Sequence, residues 1–477
     1  MGKARGFLEC KRETPPYRPV RQRLKDYNEV ATRLPETALQ QQAGRCMDCG
    51  VPFCHAMGCP LSNLIPEWND ALYRGQWAEA LQRLEMTNNF PEITGRICPA
   101  PCEAACTLAI NDGPVTIRLN ELAIIEHAFA DRAVLPAPLL PKTGLRVAIV
   151  GSGPAGIAAA QQLARLGHEV VVWEKAKQSG GILRYGIPSF KLEKWVIDRR
   201  LEQMAAEGVR FENSVIVGED ISSAYLKRSF DAVLITCGSE VPRDLSVPGR
   251  YLAGIHFAMD YLGNAHRALD GDVPGSGGIS AKGKSVLVIG GGDTGADCVG
   301  TANRQGAREV HQFELLPKPL EWSEPWNPEW PYWPRIVRKS SSHEEGCKLQ
   351  WSVVTKRFEG DGSVSQVIAS KVAWKDEKGK KVFEEVTDSK FSLDVELVIL
   401  AMGFTGTVRS KLFYELGIQF SDAGTIAVND QYMTSVPGVF AAGDAVTGPS
   451  LVVRAIWQGR LAAERLHEAV MNNPVRK

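Results

Sequence analysis

The stretch that most limits what this chain can fold into runs from Leu145 to Glu174, LRVAIVGSGPAGIAAAQQLARLGHEVVVWE. An apolar run, Val147 to Val150, enters Gly151-Ser152-Gly153-Pro154-Ala155-Gly156, an alanine-rich helix follows, and a second strand ends on Glu174. Gly151 makes the tight turn, Gly153 lets backbone approach a pyrophosphate, and Gly156 lets the helix lie close on the strand. The helix N-terminus offers unpaired N–H groups and partial positive charge to phosphates. Glu174 is placed to accept from the ribose of an ADP moiety. A lone glycine pattern is weak, but strand, helix, second strand and terminal acid in register point to a dinucleotide fold.

The pattern returns. Ser285 to Ile289 runs into Gly290-Gly291-Gly292-Asp293-Thr294-Gly295, and a second strand ends at Glu314. Two such units predict two nucleotides. An acid at the tip favours a free ribose 2′-OH and hence NADH, whereas Arg304, Arg308 and Lys318 lie close enough in sequence to pair with a 2′-phosphate. Further cofactor contacts are expected from Gly181, Leu183, Arg184, Gly186 and Ile187 in the glycine-rich loop Gly180 to Pro188, and from Cys237-Gly238 after a buried strand. Val395 to Phe404, containing Gly403, reads as a return strand to the first unit. Gly443-Asp444 ends another strand, and a helix starting near Ser450-Leu451 would aim its N-terminus at a flavin ring, stabilising negative charge there. Strand-like stretches at Leu349 to Phe358, Val364 to Trp374 and Lys381 to Val386 predict an antiparallel meander inserted in the second unit.

The 477 residues suffice for about three domains. Lys+Arg and Asp+Glu both total 55, so net charge gives no reason to expect nucleic acid or an acidic membrane as partner. No apolar run is long enough to span a bilayer, and MGKARGFLECKRE lacks a signal peptide's apolar region, which together predict a cytoplasmic protein.

Seven of the 11 cysteines lie between Cys46 and Cys106. Without export signals such a cluster points to metal rather than disulfides. Cys46, Cys49, Cys54 and Cys59, followed by Cys98, Cys102 and Cys106, suit cubane iron–sulfur clusters, whose thiolates come from a loop wrapped round the metal. One zinc site would leave three thiols over, and a redox pair Cys46/Cys49 would leave five. Two 4Fe-4S clusters need eight ligands, so an eighth must come from elsewhere; His55, Asp48 and Glu121 are candidates by residue type. Upstream, residues 1 to about 40 read as a polar arm with a short helix near Leu24 to Arg33, either packed on its own domain or gripping a partner. Val115 to Phe129 reads as a helix over the cluster region, and Val134 to Pro141 as a linker. Leu320 to Pro334, with four tryptophans among four prolines, reads as an aromatic-braced loop or a docking element.

The order of these pieces resembles the glutamate synthase small-subunit family, with the N-terminal half of dihydropyrimidine dehydrogenase as a cousin. Its most specific parts are Cys46 to Cys59, Asn88 to Pro99, the first fingerprint with Gly186-Ile187-Pro188, Gly290 to Gly295, and Ala441 to Asp444. The resemblance implies an α/β protein with a helical iron–sulfur domain (1–142), an FAD domain (143–255 and 395–477) and an NAD(P)H domain inserted in it (256–394). It implies that Cys46, Cys49, Cys54 and Cys106 hold one 4Fe-4S cluster, and that Cys59, Cys98 and Cys102 with Glu121 hold the other. A carboxylate is a harder ligand than thiolate, so the two clusters should differ in potential. The implied activity is NADPH oxidation, with NADH possible, by hydride transfer to FAD. Electrons would then pass through both clusters to a large subunit that makes glutamate from glutamine and 2-oxoglutarate.

Hydride transfer needs no protein acid or base, so no catalytic side chain is nominated. Some relatives have five residues between the thiols matching Cys98 and Cys102, where this chain has three. Many bacterial relatives carry an arginine pair where this chain has Phe313-Glu314. The same electron device attached to another partner, of ferredoxin:NADP oxidoreductase or sulfide dehydrogenase type, is the nearest alternative. A flavin disulfide reductase would need a cysteine pair beside the flavin, and a zinc-stabilised binding module would hold no iron.

Overall fold

A computed structural model describes residues 2–137, 140–272 and 278–472. Pro138 and Leu139 of the expected linker lie outside the described residues.

The first fingerprint nucleates a five-stranded parallel sheet in the order Val439–Ala441, Ala232–Ile235, Arg146–Val150, Glu169–Glu174, Arg210–Asn213. Its four strands from Val439–Ala441 to Glu169–Glu174 are apolar on both faces, as a sheet covered on both sides requires, and the polar strand Arg210–Asn213 forms the edge. Val147 and Ile149 point into one apolar layer, with helix Pro154–Arg165, while Ala148 and Ile235 point into another, with Leu412 and Phe413. The final helix, Val452–Asn472, crosses Pro154–Arg165 closely enough that a Cβ on Gly459 would stand 2.2 Å from the Ala155 carbonyl oxygen.

The second fingerprint builds another parallel sheet, in the order Ile255–Phe257, Leu397–Leu400, Ser285–Ile289, Glu309–Glu314, Lys348–Trp351. This corrects one expectation. Leu397–Leu400 is not a return strand of the first sheet: it pairs in parallel with Ser285–Ile289 and Ile255–Phe257. The chain crosses back only afterwards, where Phe404–Gly406 runs antiparallel to the outgoing Val241–Pro242.

The meander forms as Val353–Glu359, Gln366–Glu377, Lys380–Glu385 and Phe391–Asp394. Its Phe358, Val367 and Ala369 cover one face of the second sheet. The expected strand Leu349 to Phe358 is broken at Ser352, whose φ of 56° turns the chain out of extended geometry. Its first part therefore joins the parallel sheet as an edge.

The N-terminal domain is helical, with Glu36–Ala43, Ile65–Tyr73, Trp77–Glu85, Pro91–Ile97 and Ile117–Ala130 closing on Trp68, Leu72, Leu84, Phe90 and Ile125, all fully buried. This core is continuous with the helix layer of the first sheet. The arm lies on its own chain. Its short helix is Val20–Arg23 rather than Leu24 to Arg33, and buried Arg23 pairs with Glu345 at 2.8 Å and Glu344 at 2.9 Å in the second nucleotide unit.

Candidate functional site

A cavity of about 850 Å³ opens at the C-terminal ends of the first sheet's strands, the place where open α/β sheets take ligands. Of the residues expected to contact a cofactor, Gly151, Gly153, Pro154, Ala155, Glu174, Gly181, Cys237, Gly238, Gly443, Asp444 and Ser450 line it. Gly151 has φ +104° and no room for a side chain, because a Cβ would sit 2.7 Å from the Thr236 carbonyl oxygen. At Gly153 a Cβ would meet nothing within 4 Å, so backbone there is open to a ligand. Glu174 is buried and braces the loop: Oε2 accepts from the Ser152 amide (3.0 Å) and hydroxyl (2.5 Å), and Oε1 from the Ala176 amide (2.8 Å).

At the far end Asp444 accepts from the Ser450 hydroxyl at 2.8 Å, and burial pushes its carboxyl above the usual range. Val452 and Ala455, in the first turn of the last helix, face the cavity and bring the positive end of that helix to it. The volume of the cavity, its open glycine backbone and the acids Glu174 and Asp444 in its lining fit a dinucleotide such as FAD.

Several expected contacts fall elsewhere. Gly156 serves helix packing, since a Cβ would lie 2.1 Å from the Gly151 carbonyl oxygen. Leu183 is core, and buried Arg184 pairs with Asp198 and donates to the Ser179 carbonyl oxygen. Gly186, Ile187, Gly403 and Leu451 are likewise absent from the lining. The lining includes residues that no sequence motif singles out: Met259, Asp260 and Arg267 on helix Ala258–Leu269 of the second unit, and Thr407 and Val408 after the crossover. Only the fold brings them there. Cys237 lines the cavity alone, and burial pushes its thiol up to about 12. Cys298 is buried in the second unit's core, so no cysteine pair borders the cavity among the described residues.

In the second unit Gly290 and Gly295 close the turn, and Asp293 and Thr294 open the helix Asp293–Arg304. A Cβ on Gly295 would lie 2.2 Å from the Gly290 carbonyl oxygen, whereas one on Gly292 would meet nothing. Glu314 accepts from the Gly291 amide at 2.5 Å and the Leu316 amide at 2.8 Å. The cations proposed for a 2′-phosphate are engaged elsewhere. Arg304 is buried in an ion pair with Glu345, donates to the Gly300 and Asp26 carbonyl oxygens, and lies over the Phe190 ring at 3.8 Å. Arg308 precedes the strand and pairs with Glu396 at 2.6 Å, at the opposite end from Glu314. Lys318 pairs with Glu321. Arg304 is thus an interdomain brace and not a ribose contact.

The seven N-terminal thiols fall into two sets. Cys46, Cys49, Cys54 and Cys106 line one small apolar cavity with Ile65, Val115 and Ile117. Cys59, Cys98 and Cys102 act electrostatically on one another or on Glu121. Gly58 lets the two cysteine segments touch, since a Cβ there would be 2.6 Å from the Cys102 Cα. Burial pushes Cys46 and Cys98 up to about 12 and Cys59 up to about 11, while the backbone N–H groups of Asn63, Leu61 and Ser62 oppose the rise at Cys59.

Thiolates crowded in so dry a place need a cationic core beside them. All these cysteines are free, and among the described residues no three His, Cys, Asp or Glu side chains converge tightly enough for a single metal ion. A four-iron cubane takes four ligands at its corners, so two of them would use all seven thiols, where one zinc site would leave three. Glu121 is buried beside the second set; Oε1 accepts from Asn88 (2.7 Å) and Thr94 (2.6 Å), and burial lifts its carboxyl to about 7. The other candidates, His55 and Asp48, belong to the loop of the first set.

Two dinucleotide folds flanking one cavity, with a thiol-rich helical domain joined to the first, define an iron–sulfur flavoprotein oxidoreductase. Residues 145–459 match the pyridine nucleotide-disulphide oxidoreductase family, and residues 23–133 match dihydropyrimidine dehydrogenase domain II, 4Fe-4S cluster. The chain is 51% identical to the glutamate synthase (NADPH) small chain of Mycobacterium tuberculosis, over 98% of this chain and 96% of that one. It is 45% identical to glutamate synthase (NADH) of Schizosaccharomyces pombe, over 98% of this chain and 23% of that one. The solved Mycobacterium tuberculosis FprA in complex with NADPH is similar in fold, with a TM-score of 0.55 and 19% identity over 70% of this chain and 86% of that chain. The chain belongs to the glutamate synthase small-chain family. No helix among the described residues is long and apolar enough to cross a membrane.

Proposed function

We propose that this chain is the electron-input subunit of a cytoplasmic glutamate synthase, oxidising NADPH, with NADH as a possible donor, and delivering electrons to a large subunit that makes glutamate from glutamine and 2-oxoglutarate. When bound, FAD accepts a hydride and two 4Fe-4S clusters carry single electrons onward. The chain's own residues bind, orient and exclude water. Glu174 and the Gly151–Gly156 turn would seat the FAD adenosine and pyrophosphate, and the N-terminus of Val452–Asn472 would face its ring. The Gly290–Gly295 turn would seat the nicotinamide nucleotide. Cys46, Cys49, Cys54 and Cys106 would hold one cluster, and Cys59, Cys98, Cys102 and Glu121 the other.

The observation that carries this reading is the pair of thiol sets, buried except at half-buried Cys49 and Cys98, fastened directly to the flavin domain, where Asn89 bonds Gln161 and Glu92 bonds Arg200. Anaerobic titration with NADPH and with NADH, followed by absorbance and electron paramagnetic resonance, tests it. Flavin bleaching and reduced-cluster signals are expected. Colourless, iron-free protein would overturn it. Glutamate formation on adding a candidate large subunit separates this reading from another partner complex.

A further inference from the structure

The tryptophan-rich loop lies between strands Glu309–Glu314 and Lys348–Trp351 of the second nucleotide unit, yet it reaches the cysteine domain. Trp330 donates its indole N–H to the carbonyl oxygens of Ala105 (3.2 Å) and Cys106 (3.1 Å). Its ring tilts against Phe53, the residue before Cys54, with centroids 4.8 Å apart. Asn327 fastens the same turn, its amide nitrogen donating to Ala109 (2.6 Å) and its side chain to the Ala104 carbonyl oxygen (2.8 Å). Cys54 and Cys106 both line the small apolar cavity of the first thiol set. One side chain from a distant domain therefore touches the backbone of one of these cysteines and the flank of another.

We propose that Trp330 is a positioning residue for the iron–sulfur cluster on Cys46, Cys49, Cys54 and Cys106. Its N–H fixes the peptide carbonyls beside Cys106, and its ring, with Phe53, walls that cluster from water. The inference rests on the reading that these four cysteines hold a cluster. Hydrogen bonding around the ligands and access of solvent both set a cluster's potential and lifetime. Trp330 bonds the Ala105 and Cys106 carbonyls, whereas the loop's bond to the helix of Cys102 is made by Asn327 at Ala104, so removing Trp330 is expected to act on the first cluster.

The test compares wild type, Trp330→Phe and Trp330→Ala in full-length, anaerobically prepared protein. Phenylalanine keeps the ring contact and removes the N–H, and alanine removes both. Iron per chain, the paramagnetic signal and midpoint potential of each cluster, and the rate of bleaching in air are measured, with Cys46→Ser protein identifying the first cluster's signal. The first cluster's midpoint is expected to move in both variants while the second stays at the wild-type value. In air the alanine variant should lose the first cluster several-fold faster than wild type, with phenylalanine in between. If the alanine variant fails to fold, the phenylalanine variant's shifted midpoint still decides. Iron-replete variants with both clusters unchanged, or with both changed alike, overturn the inference alone. Iron-free wild type overturns the reading beneath it as well.

Discussion

Glu92 and Arg200 meet in a two-pronged ion pair with both side chains out of water, Nε to Oε1 at 2.7 Å and Nη2 to Oε2 at 2.9 Å. Glu92 stands in the first turn of helix Pro91–Ile97, which ends at Cys98, and Arg200 on helix Lys194–Ala206 of the first nucleotide unit. The pair thus sets where a thiol of the second set lies relative to the flavin domain. Burial costs both ions their hydration, and each makes the other tolerable.

Breaking one half should be much worse than removing both. Arg200→Met strands a buried carboxylate and is expected to cost about 3–5 kcal/mol, whereas Glu92→Met with Arg200→Met should recover most of that loss. Thermal midpoints of the holoprotein and iron per chain check it. Equal midpoints for the single and double variants would show that the pair is not coupled.

The two thiol sets should empty independently. Cys54→Ser and Cys102→Ser are each expected to lower iron from about eight to about four per chain, abolishing different paramagnetic signals. Glu121→Ala should behave like Cys102→Ser and leave the first cluster's signal unaltered. Loss of both signals from Glu121→Ala would place this residue in the fold of the domain rather than at a metal.

In the binding mode proposed above, Glu314, whose carboxylate is 2.5 Å from the Gly291 amide nitrogen, would face the ribose of the nicotinamide nucleotide. A 2′-phosphate brought there meets a like charge, worth roughly 1–4 kcal/mol at 4 Å between bulk water and near-surface conditions. Glu314→Ala is therefore expected to raise kcat/KM for NADPH relative to NADH by about tenfold or more. A ratio that stays put in the alanine variant would mean that the carboxylate does not face the nucleotide.

Much of this was legible in the sequence, because the pieces that carry nucleotides and thiols are local. A glycine turn between a buried strand and a helix announces itself within some thirty residues, and so does the crowding of Cys46 to Cys59. What misled were features whose meaning depends on which end or which sheet they join. Leu397–Leu400 is buried on both faces and would suit either sheet; only its pairing with Ser285–Ile289 assigns it. Arg304 is near Glu314 in sequence, but it caps the far end of its helix and pairs with Glu345. The cavity contacts of Met259 and Thr407 come from separate chain segments, which no local pattern links. The proline and tryptophan run Leu320 to Pro334 signalled rigidity without naming the Cys106 carbonyl as its target.

The start of strand Glu169–Glu174 offers a pH dependence remote from every cofactor. His168 is buried with Nε2 2.8 Å from His467 Nδ1 on the last helix and Nδ1 2.9 Å from the Thr143 hydroxyl. Burial, and then the neighbouring His467, bring its imidazole down to about 4, although Asp231 opposes this. The unfolded chain keeps the ordinary value near 6.5. As pH falls through 6.5 the unfolded state takes up the proton first, so stability declines between about 6.5 and about 4 and loses nothing more from this residue below that window. His168→Gln, which keeps polar atoms for Thr143 and His467 but does not titrate, should flatten the fall of the thermal midpoint across the window. Identical slopes for variant and wild type would mean that His168 is protonated as readily in the folded chain as in the unfolded one.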